Sequence, residues 1–219
     1  MLKQRLEAVE ERIHAACARS GRIRSEITLV AVTKVFPASV LREAYDLGLR
    51  EFGENYVQEF AGKLPEVGPT PGARFHLIGH LQSNKTKIAA ELFQVIQTVD
   101  SAKLATRLDG TGASLDVMIE VKLSPEEAKA GADPEQIPSL IETLRQCEHL
   151  RLLGLMTMPP WSDDPEVARP YFVRLREIAT KVGLTQLSMG MSHDFEAAIE
   201  EGATHIRVGT ALFGKRRKP

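Results

Sequence analysis

Cysteine is scarce in this sequence, and neither sign of charge is in excess. Its 219 residues include two cysteines, Cys17 and Cys147, which stand far apart and show no Cys-x-x-Cys spacing. This usage argues against a disulfide framework or a cysteine-ligated zinc site and fits a reducing compartment. The formal net charge is −1, from 28 basic and 29 acidic residues, so no general attraction to nucleic acid or to a membrane surface is expected.

Long apolar runs are missing as well. The first 22 residues alternate charged and apolar side chains at helical spacing, which predicts an amphipathic helix over 1–20. This segment lacks the apolar core of a signal peptide, and no run elsewhere approaches membrane-spanning length. We therefore expect a cytoplasmic protein with no membrane partner. The basic residues KRRK at 215–218 are interpreted as a solvated tail rather than as a nucleic-acid contact.

What the chain does contain is a regular alternation of short strand-like runs and helix-length segments. Such alternation is typical of parallel βαβ units, and a count of eight strands favours a closed (β/α)8 (TIM) barrel over an open doubly wound sheet. No linker divides the chain, so one α/β domain over 1–219 is predicted, with an extra N-terminal helix and a basic tail at 215–219. The candidate strands cover residues 27–34, 49–54, 74–80, 93–100, 115–123, 150–158, 186–191 and 205–210.

Two consecutive loops carry groups suited to binding an anion. In a (β/α)8 barrel, phosphate is often held by the loops after strands seven and eight. The seventh strand leads into SMGMSHD (188–194), where Gly190 would let the backbone approach a ligand and Ser192 could cap the following helix. The eighth ends in RVGT (207–210), which offers a cation, a glycine amide and a hydroxyl. Either segment alone is also what an ordinary helix cap or turn would contain, so both interpretations stay open.

A lysine ends the first candidate strand, TLVAVTK (28–34), whose other residues suit a buried position. Burying an ammonium group is costly unless it is paired, neutralised or used. Lys34 could simply extend past the strand end to solvent, or it could be a partly desolvated amine that attacks a carbonyl to form a Schiff base. With a phosphate site across the barrel mouth, the second interpretation implies a small phosphorylated aldehyde or ketone, either a sugar phosphate or pyridoxal 5′-phosphate (PLP).

Several motifs, in order and correctly spaced, resemble the pyridoxal phosphate homeostasis protein family, also called the proline synthase co-transcribed family. They are AVTK, FGENYVQE, HLIGHLQSNK, GLMTMPP and LSMGMSHDFEAAIEEGATHIRVGTALFG. The resemblance extends over about residues 1 to 214. It implies a single (β/α)8 barrel similar to the N-terminal domain of alanine racemase, with PLP as its cofactor.

The resemblance also implies roles for individual residues. Lys34 matches the lysine that forms the internal aldimine with PLP. Ser192, together with Gly209 and Thr210, matches the group that holds the phosphate. Arg207 matches an arginine that approaches the pyridine nitrogen.

Other positions are matched less closely. Asn55 corresponds to a residue lining the cofactor face. His80 and Asn84 are implied to lie near the barrel mouth, with roles left open. We interpret His193 as a surface residue whose imidazole could still reach the phosphate, and Met156 and Met158 as barrel packing.

Catalysis is not expected, for two reasons. Racemisation needs acid–base groups on both faces of the substrate Cα, and the second base of alanine racemase belongs to a further domain that we do not expect in a chain ending at Pro219. No clear replacement stands in the sequence, although Tyr56 and Lys129 remain candidates. A permanently charged Arg207 facing the pyridine nitrogen would also disfavour its protonation and so weaken the ring as an electron sink.

The leading hypothesis is therefore a PLP-binding protein that acts in vitamin B6 homeostasis. The alternative is a PLP-dependent amino-acid racemase of low efficiency, and a class I aldolase acting on a sugar phosphate ranks third. Apo PLP enzymes are candidate recipients of the cofactor. Because we do not expect the racemase-like second domain, we expect the protein to be a monomer.

Overall fold

A computed structural model describes residues 1–124 and 130–215 of the chain. Eight parallel strands close into a barrel, and their spatial order is their order in the chain. The barrel closes where β1 pairs with β8, with Leu29 opposite Ile206. The (β/α)8 prediction and all eight candidate strands are confirmed. The strands are β1 Thr28–Val32, β2 Glu51–Glu54, β3 Arg74–Leu77, β4 Val95–Val99, β5 Leu115–Glu120, β6 Leu150–Met156, β7 Gln186–Met191 and β8 His205–Val208.

Helices surround the barrel, and each carries buried apolar side chains. In the longest one after a strand, Phe172, Leu175 and Ile178 are buried at helical spacing, and Gly183 ends the helix in the left-handed conformation at φ 72°. The helices of the described ranges are α1 Leu2–Arg19, α2 Ala38–Asp46, α3 Val57–Val67, α4 Thr86–Leu92, α5 Ala102–Asp109, α6 Ile137–Arg145, α7 Arg169–Val182, α8 Phe195–Glu200 and α9 Thr210–Phe213.

The extra helix α1 lies outside the barrel repeat and packs against α8 and α9. Its apolar side, which includes Val9 and Ile13, is buried. Arg12 makes a two-pronged ion pair with Glu196 of α8, at 2.6 and 2.8 Å. Since α8 and α9 directly follow β7 and β8, α1 supports the part of the barrel where the phosphate site is predicted.

Two predictions fall partly outside the described residues. Lys129 lies outside them, and so do residues 216–219 of the expected basic tail. Within the described residues, no helix combines the length and the apolar character needed to cross a bilayer.

Candidate functional site

One cavity of about 300 Å³ opens at the carboxyl ends of the strands. Because the strands are parallel, the residues that follow them meet at this end of the barrel. All six residues implied as cofactor ligands line this cavity. The order of these residues in the chain does not by itself require them to meet there. They are Lys34, Asn55, Ser192, Arg207, Gly209 and Thr210.

Lys34 follows β1 on a short turn whose backbone is held on both sides. Before it, the Thr33 carbonyl accepts a hydrogen bond from Lys63 Nζ at 2.9 Å. After it, the Val35 amide donates to Glu59 Oε1 at 2.6 Å, and Val35 adopts φ 67°, a left-handed conformation that is uncommon for a β-branched residue. Tertiary contacts therefore impose the conformation of this turn, and Lys34 is half-buried at its centre.

A buried charged cluster, which the sequence analysis does not predict, lies beneath this turn. Glu54 at the end of β2 is fully buried and accepts hydrogen bonds from Thr33 Oγ1 and Lys63 Nζ, both at 2.7 Å. Glu59 adds a second carboxylate 3.2 Å from the Lys63 ammonium. Burial raises the pKa of Glu54, while Lys63 acts in the opposite direction. The sequence does contain one indication of this cluster. Lys63 lies at helical spacing between the buried residues Phe60 and Val67, on the face of α3 that packs inward.

Ser192 connects the two loops that were predicted to bind phosphate. Its Oγ accepts hydrogen bonds from the amides of Gly209 at 3.1 Å and Ala211 at 3.2 Å. The expectation that Ser192 caps the helix after its own strand is therefore wrong: it caps α9, because the β7 and β8 loops are neighbours. Asp194 serves the other loop instead, accepting from the Met191 amide at 2.6 Å.

Gly190 serves packing rather than ligand approach. Its φ is 89°, and a Cβ there would lie 2.5 Å from Ala198 Cβ and 3.0 Å from Phe195 Cα. Gly190 does not line the cavity. The glycine is required because α8 packs closely against the end of β7.

Arg207 lies at the floor of the cavity and is almost fully buried. Its guanidinium donates to Ser188 Oγ at 2.7 Å and to the Thr157 carbonyl at 2.8 Å. Desolvation lowers its pKa to about 10, against the opposing effect of Asp194 and Glu120. Arg207 thus remains a cation at neutral pH, oriented by neutral acceptors.

Asn55 supplies a buried acceptor that has no protein partner. Its Oδ1 makes no hydrogen bond within the described structure, although buried polar atoms are usually satisfied. The backbone at Asn55 is packed closely against Gly79, where a Cβ would lie 2.3 Å from the Asn55 carbonyl oxygen. Gly79 therefore allows Asn55 to occupy the cavity wall.

The variant Gly79→Ala is expected to destabilise the protein by roughly 2–4 kcal/mol, because the added methyl group overlaps backbone that cannot move alone. Urea denaturation measures this loss. The matched control is Gly62→Ala in α3, where a Cβ meets nothing within 4 Å and helix propensity favours alanine by about 1 kcal/mol. Equal stability of the two variants would contradict the role given to Gly79.

Glu120, at the end of β5, is a buried carboxyl group close to this cavity. Burial raises its pKa from 4.5 to about 7, partly opposed by Arg207, and among the described residues its Oε2 has no hydrogen-bond partner. The pKa is higher in the folded than in the unfolded chain. Folding is therefore penalised as pH rises through this interval, by about 3 kcal/mol above pH 7 and by less than about 1 kcal/mol at pH 5.

The variant Glu120→Gln is therefore expected to raise the free energy of unfolding at pH 8 by about 2–3 kcal/mol, with a much smaller gain at pH 5. Urea denaturation at the two pH values measures the difference. Glu91→Gln, at an exposed position of α4, is the control and should change stability little at either pH. A gain that does not depend on pH would contradict the titration of Glu120.

Of the remaining candidates that the structure describes, four do not line the cavity and two do. His80 and Asn84 are exposed and do not line the cavity, and Tyr56, 58% exposed, does not line it either. His193 is exposed, as expected, and lines the cavity while its Nε2 lies 2.6 Å from the Asp163 carbonyl. The packing role expected for Met156 and Met158 fits Met156, which is completely buried, but is wrong for Met158, which is 36% exposed at the cavity wall.

Comparison with known proteins agrees with this arrangement. Residues 5–217 match the family model "Alanine racemase, N-terminal domain". The pyridoxal phosphate homeostasis protein of Aquifex aeolicus is 43% identical over 224 residues, covering 98% of both chains. The chain belongs to the pyridoxal phosphate homeostasis protein family.

Solved structures extend the comparison. The structure of PipY of Synechococcus elongatus with PLP bound is 41% identical, with a TM-score of 0.82 over 94% of this chain and 100% of that one. An alanine racemase of Clostridium difficile has a TM-score of 0.74 at 15% identity, where 99% of this chain matches 57% of that one. The racemase likeness concerns the fold alone.

Proposed function

We propose that this chain binds PLP at the barrel mouth and acts in the homeostasis of that cofactor without catalysing a reaction. The observation that carries the proposal is that an amine and a set of anion-binding groups share one cavity. Membership of a family whose curated members are named for PLP homeostasis and the PLP-bound PipY structure support it.

The residues present fit PLP. The Lys34 amine would attach the aldehyde carbon covalently, and Ser192 with the Gly209 and Thr210 region would hold the phosphate. Asn55 Oδ1 is a buried acceptor with no partner in the described part of the chain, and a hydroxyl group of the ligand would satisfy it. When bound, PLP supplies a conjugated ring that can withdraw electrons from an attached amine.

The surroundings of Arg207 support binding without chemistry. A buried guanidinium that stays charged disfavours a proton on a nearby ring nitrogen, so the ring would be a poor electron sink. No tyrosine lines the cavity among the described residues. Asp194, which lines the cavity, accepts a hydrogen bond from the Met191 amide. These features argue against the racemase alternative.

The compartment and the assembly state belong to the same proposal. Both cysteines are free thiols, in keeping with the reducing cytoplasm, where a monomeric carrier could supply apo PLP enzymes. Size-exclusion chromatography with light scattering tests the monomer.

Three measurements test the function. Purified protein freed of cofactor should take up PLP and turn yellow; absence of uptake would refute the binding site. Holoprotein incubated with single L-amino acids in deuterated water should show no Cα exchange and no D-product, and rapid exchange would instead establish the racemase. An aldolase would be revealed by borohydride trapping of a sugar phosphate in place of PLP.

A further inference from the structure

A chain of buried polar side chains crosses the interior of the barrel, where (β/α)8 proteins usually pack apolar residues. Ser188 Oγ contacts Gln97 Oε1 at 2.6 Å, Gln97 Nε2 contacts His76 Nδ1 at 2.8 Å, and His76 Nε2 contacts Glu51 Oε2 at 2.5 Å. Ser188, Gln97 and His76 are completely buried. The chain begins at Arg207 on the cavity floor and ends at Glu51, the first residue of β2, at the opposite rim.

The chain spans strands that are not neighbours. Gln97 lies on β4 and Ser188 on β7, so their hydrogen bond passes through the barrel rather than along the sheet. A buried polar group without a partner is costly, and here each group satisfies the next. The arrangement therefore depends on all its members.

The donors all point in one direction. Arg207 can only donate, so Ser188 Oγ accepts from it and directs its single hydrogen to Gln97 Oε1. The Gln97 amide nitrogen then donates to His76 Nδ1, which must be unprotonated. His76 accordingly carries its hydrogen on Nε2 and donates to the Glu51 carboxylate. The guanidinium at one end and the carboxylate at the other match this polarity.

The charges around His76 agree with a neutral ring. Burial lowers the pKa of His76, with Arg74 of β3 acting in the same direction and with Glu51 of β2 and Asp116 of β5 opposing it. His205 of β8 lies with its ring centroid 6.3 Å away, and its own pKa is lowered to about 4 by burial. A second proton on His76 would force the Gln97 amide to turn over and would leave the Ser188 hydrogen without an acceptor.

We propose that Ser188, Gln97, His76 and Glu51 form a polarised hydrogen-bond chain that positions the Arg207 guanidinium at the cavity floor. None of these four residues lines the cavity, whereas Arg207 does. They are therefore positioning residues, which act through Arg207. The importance of this positioning for PLP rests on the function proposed above. The chain itself can be tested without the cofactor.

The first test uses nitrogen-15 NMR of the protein without PLP. At pH 7, His76 should be the neutral tautomer protonated at Nε2. The two terminal nitrogens of Arg207 should exchange positions slowly, because rotation of the guanidinium about its Nε–Cζ bond is hindered. Gln97→Leu should accelerate that rotation by roughly fivefold or more, about the effect of one hydrogen bond. A His76 protonated at Nδ1, or an Arg207 rotation rate unchanged by Gln97→Leu, would overturn the chain.

Two further variants keep the test decisive. Gln94→Leu makes the same chemical change just before β4, where Gln94 Oε1 accepts from the Phe75 amide, and should leave Arg207 unaffected. Gln97→Glu preserves the shape and the acceptor for Ser188, so it guards against a folding failure of Gln97→Leu. It should keep Arg207 rotation slow, because Ser188 retains its acceptor; rotation as fast as in Gln97→Leu would contradict the assigned direction of the Ser188 hydrogen bond.

The link to the cofactor has its own readout. Gln97→Leu should weaken PLP binding by roughly tenfold and shift the pH midpoint of the bound chromophore, whereas Gln94→Leu should do neither. A purely structural role would lower stability and leave affinity and pH midpoint unchanged, which would refute the positioning claim. If the unmodified protein takes up no PLP, the proposed function fails, and the NMR result still decides the chain.

Discussion

The variant Lys34→Ala is expected to abolish the yellow colour of the PLP-loaded protein. The lysine is the one cavity-lining amine among the described residues, and a turn held from both sides presents it. Without covalent attachment, retention depends on the phosphate and ring contacts alone, so the dissociation constant should rise by about a hundredfold or more. Absorption spectroscopy and equilibrium dialysis measure both effects.

A second measurement locates the attachment directly. Borohydride reduction of the loaded protein followed by peptide mass spectrometry should place the modification on the peptide that contains Lys34. Lys85→Ala, in the segment between β3 and α4 and outside the cavity, should keep full colour and affinity. Modification of another lysine in the unaltered protein would show that the assignment of Lys34 is wrong.

The variant Lys63→Met is expected to destabilise the protein by about 3–5 kcal/mol at pH 8. Lys63 donates to Glu54 Oε1 and to the Thr33 carbonyl inside the barrel wall. Its removal would leave the Glu54 carboxylate buried with one hydrogen-bond donor, Thr33 Oγ1. Burial already raises the pKa of Glu54, so the penalty should fall as pH drops to 5 and this carboxyl group takes up a proton.

Urea denaturation at the two pH values separates this charge effect from lost packing. The double variant Glu54→Gln with Lys63→Met should recover part of the stability at pH 8, because no buried charge remains. Lys87→Met at an exposed position should change stability little. If Lys63→Met is equally destabilising at both pH values, the ion pair does not account for the effect.

The fold was largely predictable from local patterns. Most strands contain a short apolar run with flanking breaks, and a helix follows each strand at the spacing of a βαβ unit. The predicted ends extend past the observed ones: the first candidate strand covers 27–34, whereas β1 ends at Val32. Residues 33 and 34 have strand-like neighbours in sequence, but hydrogen bonds from α3 turn the chain there, and a local pattern carries no information on such contacts.

The candidate site was predictable only in part. The motifs indicated Lys34 and Ser192, and the structure brings them to one cavity. The partners of these residues were not predictable, since Ser192 caps α9 rather than α8 and Met158 lines the cavity instead of packing inside the barrel. These outcomes depend on which loops become neighbours when the barrel closes.

By itself, the sequence determined the order of strands and helices, the positions of the chemically active side chains at strand ends, and the family. Only the tertiary structure decided which buried polar groups meet. Glu54 and Lys63 lie nine residues apart, and Gln97 and Ser188 lie 91 residues apart. Barrel closure excludes water from both pairs, and a dry interior makes each polar group depend on its spatial neighbour. These contacts join residues that are close in space and distant or irregularly spaced in sequence, so no periodic pattern along the chain predicts them.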